Sequence, residues 1–320
     1  YKSMHEADVV LLLGTDFPYT PFMPEKAKII QIDIRPERLG RRANLELGLC
    51  GNIADTVRAM LPLLEAKADR DFLDEMLDLY REVQKRLQTY VTDQGKDEQI
   101  SPEYVATVIN RIAAPDAIFT VDTGMTNVWT ARYIEATGKR TLLGSFNHGS
   151  MANAMPQAIG AALAQPGRQV VALCGDGGLS MLLGDLMTIR QYKLPVKVIV
   201  FNNRALGMVK LEMEVAGIPD WQTNMENPDF AAVAAAIGFA SYTIRKPEET
   251  EPILKQVFDT DGPVLVNVFT NPNSLAMPPK IEFEQMKGYA LWMSKLILGG
   301  RYEEVFDSLK SNAKHIRDVL

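Results

Sequence analysis

Cysteine is nearly absent from this chain: Cys50 and Cys174 are the two in 320 residues, too few for a disulfide framework. Cys174 sits in an apolar run and reads as a small packed hydrophobe rather than a reactive thiol. No apolar stretch approaches the roughly 20 residues that span a bilayer, and no secretory leader precedes the first strand, which together predict a cytoplasmic protein. No run of Lys and Arg stands out against a net charge of -6, so no nucleic-acid partner is expected. Internal repeats and low-complexity tracts are missing as well. No Gly-x-Gly-x-x-Gly follows the first strand, which disfavours a nicotinamide dehydrogenase. What remains, 47% hydrophobic and 23% charged residues, is the composition of a globular protein long enough for two domains.

The apolar periodicity predicts an α/β chain of two doubly wound parallel-sheet domains, the first incomplete. Strands over Val9–Leu13 and Lys28–Asp33 and a helix near Ile53–Leu64 fill residues 1–66. The start at Tyr1, a few positions from a central strand, leads to the expectation that an amino-terminal portion precedes this chain. Residues 67–99 read as a linker: an amphipathic helix over Asp71–Tyr90 and a polar loop. Ser101-Pro102-Glu103 opens the next helix with a cap and a first-turn proline, beginning a second domain over 100–275. Its strands include Ala117–Val121, Gln169–Leu173, Val196–Phe201 and Val264–Val268, and Asn227-Pro228-Asp229 opens a helix that Gly238 closes. A helical tail occupies 276–320.

The most informative stretch is Cys174-Gly175-Asp176-Gly177-Gly178, followed by one helix (Leu179–Tyr192), one strand and Asn202-Asn203. A right-handed crossover makes the flanking strands parallel, so Asp176 and Asn203 emerge on the same carboxyl edge. The glycines clear space where a backbone must approach phosphate oxygens. Oxygen ligands beside a diphosphate suit Mg²⁺, which shares its octahedron between protein and phosphate. In the first domain, the loop Thr15-Asp16-Phe17-Pro18-Tyr19 and the strand-ending Asp33 occupy carboxyl-edge positions. Asp33 has two readings of equal weight, contact with a nucleotide or a cap on the loop to Pro36.

The order Gly-Asp-Gly, helix, strand, Asn-Asn resembles the signature of thiamine diphosphate enzymes. Thr15–Tyr19, Gln31-Ile32-Asp33, Gly144–Met151, Cys174–Gly178 and Met277-Pro278-Pro279 together resemble bacterial pyruvate oxidases, the FAD-containing, quinone-dependent type, over nearly the whole chain. By this resemblance, Asp176 and Asn203 bind the metal by side chain and Ala205 by its carbonyl. Gly149, Ser150 and Met151 lie against thiamine diphosphate together with Gly177, Gly178 and the stretch Arg204-Ala205-Leu206-Gly207-Met208-Val209. Thr15, Asp16, Phe17, Pro18, Tyr19 and Asp33 touch FAD. Met151 matches the apolar wedge that bends the cofactor, although a Met in the run Met151–Met155 also reads as core. Met151, Val209 and Glu212 are the residues expected to serve the reaction. His148, in a glycine-rich turn, is a weaker candidate for a polar role.

The resemblance implies oxidative decarboxylation of pyruvate to acetate and carbon dioxide, with electrons passing through FAD to a quinone or to oxygen, in a homotetramer with sites between subunits. It also implies an activating glutamate from a neighbouring subunit's first domain, so the chain alone is expected to bind Mg²⁺ and diphosphate weakly and to decarboxylate nothing. Met208 stands where many pyruvate oxidases carry an aromatic residue and resembles the acetolactate synthases, which join the two-carbon unit to a second keto acid. A catalytically inactive protein is the third reading. In the tail, Val305, Phe306, Leu309, Ala313, Ile316 and Leu320 recur at helical spacing, an apolar stripe suited either to the protein's own surface or to peripheral contact with the inner face of a membrane.

Overall fold

The computed structural model describes residues 1–17, 19–91, 99–274 and 283–317, so Pro18, the loop after Val91 and Met277-Pro278-Pro279 lie outside the described residues. The chain divides into two compact units, Tyr1–Lys85 and Arg86–Leu320. The first contains α1 (Lys2–Glu6), β1 (Val9–Leu13), β2 (Lys28–Asp33), β3 (Leu47–Cys50) and α2 (Ile53–Met60), and α3 (Asp71–Val91) begins in it. Its three strands are parallel in the order β1-β2-β3. Asn52 caps α2 through the amides of Ala54 and Asp55, and Pro62 turns the helix end into a 3₁₀ turn over Leu61–Leu63, where the sequence predicted helix to Leu64. β3, with its Leu-Gly-Leu-Cys sequence, is too short and too glycine-broken to be legible beforehand.

The second unit runs α4 (Pro102–Ile112), β4 (Ile118–Val121), α5 (Met125–Tyr133), β5 (Thr141–Gly144), α6 (Ala154–Ala164), β6 (Val170–Gly175), α7 (Asp176–Met181), α8 (Leu186–Gln191) and β7 (Val196–Asn202). It continues with α9 (Gly207–Val215), α10 (Phe230–Ile237), β8 (Ala240–Ile244), α11 (Pro247–Asp259), β9 (Val264–Phe269), α12 (Phe283–Leu298) and α13 (Tyr302–Arg317). Six parallel strands lie in the order β5-β4-β6-β7-β9-β8. The alternation of side chains along each strand feeds two cores: Val171, Leu173, Ile199 and Phe201 face Val105, Ile109 and Leu254, while Val170, Ala172, Cys174, Val198 and Val200 face Ala158, Ile189 and Phe230. Both faces are therefore apolar, as a doubly wound parallel sheet requires. Cys174 is a free, fully packed thiol in the second of these cores.

One expectation needs correction. The helix predicted over Leu179–Tyr192 is broken, because Leu182 leaves the helical region (φ -125°, ψ 35°) ahead of Gly184, and a 3₁₀ turn over Leu183–Asp185 separates α7 from α8. β9 is the last strand in the chain, as the sequence predicts, and lies interior to the sheet with β8 as its outer neighbour. The tail packs on its own unit: Val305 of α13 joins Trp292 and Leu296 of α12, and Asn312 donates to the carbonyl of Asn273. Phe306 and Leu309 of the predicted stripe are exposed. No helix among the described residues is long and apolar enough to cross a membrane.

Candidate active site

The chain passes from β4 outward to β5 and then returns to the opposite side of β4 for β6. That reversal leaves a crevice outside the carboxyl ends of β4 and β6, the place where open α/β sheets hold ligands. Three strand ends supply it: Asp122 after β4, Asp176 after β6, and Asn202-Asn203 at the end of β7. Asp122, Met151, Asp176, Gly177, Gly178, Asn203, Ala205 and the four residues Leu206-Gly207-Met208-Val209 border one cavity of about 190 Å³.

Asp176 is 2% exposed. Its Oδ1 accepts the Gly177 amide at 2.9 Å, and its Oδ2 accepts the Arg204 amide at 2.8 Å and Asn227 Nδ2 at 2.7 Å. Burial raises the carboxyl above its ordinary range, opposed by these three donors, which favour the charged form. The two asparagines divide their work. Asn202, 1% exposed, is turned inward, donating to Asn267 Oδ1 at 3.0 Å. Asn203 turns to the cavity, and its Oδ1 accepts the Ala205 amide at 3.1 Å. Between them and Ala205, Arg204 takes a left-handed backbone (φ 55°), a strained conformation for a residue with a side chain.

Gly178 is required by close approach: a Cβ there would lie 2.2 Å from Asp122 Oδ2. A Cβ on Gly207 would lie 2.8 Å from Asn203 Nδ2. Met151 reaches the opposite wall, its Cε 3.2 Å from where a Cβ on Gly177 would stand, and the next residue, Ala152, is also left-handed (φ 62°). Of the other residues singled out in the sequence, Gly149, Ser150, Arg204 and Glu212 are exposed and do not border the cavity. His148 is likewise exposed.

Asp122 was not legible as a site residue. It is 2% exposed, its Oδ1 accepts the Ala154 amide at 2.8 Å, and its Oδ2 has no hydrogen-bond partner among the described residues. Burial pushes its carboxyl up to about 6 against the pull of backbone amides, Ala154 foremost. The signal was present, since Asp122-Thr123-Gly124 ends a strand as Asp176 does. Asn227 was missed as well, and its local sequence offers only the opening of α10.

In the first unit, Asp33 Oδ1 accepts the Arg35 amide at 2.8 Å, the loop-capping role, and Asp33 also borders an open depression with Gly14, Arg35, Arg38 and Asn52. Asp16 is engaged by Arg38, Arg41 and Arg42 at 3.1, 3.5 and 3.3 Å. Phe17 and Tyr19 stack edge to face, and Thr15 is half-buried. Neither Thr15, Asp16, Phe17 nor Tyr19 borders the depression.

A second, smaller cavity joins Asn203 to Glu214, Lys210 and Ser308. Glu214 is 3% exposed, with Lys210 Nζ 4.0 Å away. Burial pushes its carboxyl up to about 7, and Lys210 opposes the shift. Unfolded, the group titrates near 4.5, so between pH 4.5 and 7 the folded state holds more proton than the unfolded one. Stability therefore falls as pH rises through that window, by about 3 kcal/mol from this residue. Glu214→Gln is expected to be more stable than the parent by that amount at pH 8, the difference shrinking to about 0.4 kcal/mol at pH 4.5 in urea unfolding. An unchanged difference across that range would show that Glu214 is not the group responsible.

Comparison with known proteins places these residues in context. Residues 122–268 match the model described as the thiamine pyrophosphate enzyme C-terminal TPP binding domain, and residues 1–60 match the central domain of the same enzymes. YdaP of Bacillus subtilis (strain 168), named for thiamine pyrophosphate and for no reaction, is 34% identical over 321 residues, covering 99% of this chain and 54% of YdaP. The acetolactate synthase large subunit of Pyropia yezoensis is 30% identical over 86% of this chain and 48% of its own length. The acetolactate synthase isozyme 3 large subunit of Escherichia coli (strain K12) is 29% identical over 92% of this chain and 53% of its own. The chain thus spans about half the length of the curated relatives it matches.

Proposed function

Because this chain belongs to the thiamine pyrophosphate enzyme family, we propose that its second unit holds the Mg²⁺-diphosphate end of thiamine diphosphate and serves the decarboxylation of a 2-keto acid, pyruvate. The observation that carries this reading is the meeting of Asp176 and Asn203 over the glycine turn, at the ends of adjacent parallel strands β6 and β7. The donor set fits: a carboxylate, a carboxamide oxygen and the Ala205 carbonyl are hard oxygen ligands of the kind Mg²⁺ takes, with remaining positions for phosphate and water. The missing side chain at Gly178 fits too, since any Cβ would fill the space between the turn and Asp122. When bound, thiamine diphosphate supplies the electron sink for loss of carbon dioxide. The protein supplies the anchor at Asp176, Asn203 and Ala205, the apolar wall of Met151, and the opening of α9, where Met208 and Val209 stand nearest to a substrate. Glu212, one helical turn beyond Met208 and exposed, is available to a substrate only from outside the cavity.

Two fates of the two-carbon unit are in competition. The pyruvate oxidase reading places FAD at the carboxyl edge of β1 and β2, near Gly14, Asp33 and the arginines around them, and sends electrons to a quinone or oxygen from a homotetramer. The acetolactate synthase reading is favoured by Met208 and by the names of the relatives from Pyropia yezoensis and Escherichia coli. Product analysis decides between them. The protein that carries this chain is supplied with pyruvate, thiamine diphosphate, Mg²⁺, FAD and an artificial electron acceptor. Acetate with matching acceptor reduction supports oxidation; acetolactate without reduction supports carbon–carbon bond formation. Absence of carbon dioxide release overturns the proposal.

A further inference from the structure

We infer that Asn227 is a positioning residue for the metal carboxylate: its amide holds Asp176 in the orientation that presents a free lone pair to a divalent cation. The inference rests on the reading of Asp176 as a metal ligand. A carboxylate offers about four lone-pair sites. Three are taken by donors from the protein side, the amides of Gly177 and Arg204 and Asn227 Nδ2. These fix the plane of the group and leave about one site facing outward. Two of the donors are backbone groups that come with the turns; Asn227 is the side-chain donor, at the shortest of the three distances, 2.7 Å.

Asn227 is itself held from several directions. Its Nδ2 also reaches Asn202 Oδ1 at 2.9 Å, and Asn202 donates to Asn267 Oδ1 on β9, so a ladder of carboxamides runs from within the sheet to the carboxylate. The backbone from Thr223 to Met225 runs antiparallel beside Arg204–Leu206, through Leu206 N to Thr223 O and Met225 N to Arg204 O, both at 2.8 Å. On its other side Pro228 restricts the Asn227 backbone, and Asp229 caps α10 through the amides of Ala231 and Ala232. Asn227 Oδ1 is buried with no hydrogen-bond partner among the described residues. The oxygen end thus costs stability, and what this amide contributes lies at its donor end, on Asp176 and Asn202.

The test uses the full chain with thiamine diphosphate present and Mn²⁺ as the probe, free Mn²⁺ being counted by electron paramagnetic resonance. Removing a group that orients a metal ligand typically weakens binding about 10–100-fold, the loss expected for Asn227→Ala. Asn227→Asp, of the same shape but with an acceptor in place of the donor, is expected to lose at least as much. Leu254→Ala, a fully buried core truncation, is expected to lower the melting temperature and leave the dissociation constant unchanged. Either Asn227 variant binding within twofold of the parent overturns the inference, as does an equal loss in Leu254→Ala, which would mean general loosening. Asp176→Asn binding Mn²⁺ like the parent, or a parent that binds none, overturns instead the metal reading on which the inference rests.

Discussion

Asp176→Asn is expected to weaken Mg²⁺-dependent binding of thiamine diphosphate by at least about 100-fold, since in the proposed site Asp176 is a direct ligand and counts for no less than the groups that orient it. The variant keeps the fold. The asparagine oxygen can still accept from Arg204 and Asn227, and the lost bond to the Gly177 amide is offset by relief of a buried charge whose ionised form burial disfavours. The effect therefore appears in linkage rather than in the ligand-free protein. A ligand at 100 times its dissociation constant stabilises the parent by about 2.7 kcal/mol, which for a unit of this size raises the melting temperature by about 5–10 °C. In the variant at the same ligand concentration that rise shrinks to about 0.4 kcal/mol or less, roughly 1 °C, while the ligand-free midpoint stays close to the parent's. A variant that retains the rise would remove Asp176 from the metal site.

Gly178→Ala is expected to damage the fold and the site together. The added Cβ would stand 2.2 Å from Asp122 Oδ2, 2.7 Å from its Cγ and 3.3 Å from the Ala152 amide nitrogen. Asp122 cannot swing aside freely, because its Oδ1 accepts the Ala154 amide at 2.8 Å and the residue is 2% exposed. Overpacking and the orphaned amide together amount to about 2–4 kcal/mol, a fall of roughly 5–15 °C in melting temperature. Calorimetry of the single variant and of Gly178→Ala combined with Asp122→Ala separates the causes. If the clash is with the carboxylate, the alanine at 178 costs less in the second background. A single variant as stable as the parent would mean that the turn is looser than the structure describes.

Much of the fold was legible because the inner strands of the second unit are buried on both faces and read as predominantly apolar runs. Lys28–Asp33 and Val9–Leu13 have the predicted bounds, and Val196–Asn202 extends the prediction by one residue. What escaped were the strands Leu47–Cys50, Thr141–Gly144 and Ala240–Ile244, all edge strands, where short length, glycine or polar residues blur the pattern. Asp176 and Asn203 were legible because a glycine turn, a helix and a strand between them set their relative position through covalent connectivity. Asp122 and Asn227 meet the same turn from other parts of the chain, across the sheet and through a loop, and no local spacing encodes that meeting.

The cavity is assembled from parts of unequal stiffness. Asp176 and Asn203 hang from the ends of hydrogen-bonded strands, whereas Met208 and Val209 ride on the first turn of α9, with Val209 47% exposed. Under the proposed function, retention of the cofactor and choice of reaction are thus mechanically separable. Selection, natural or in the laboratory, can retune the second at one helix tip without reopening the first, which gives a single anchoring frame room to host divergent chemistries.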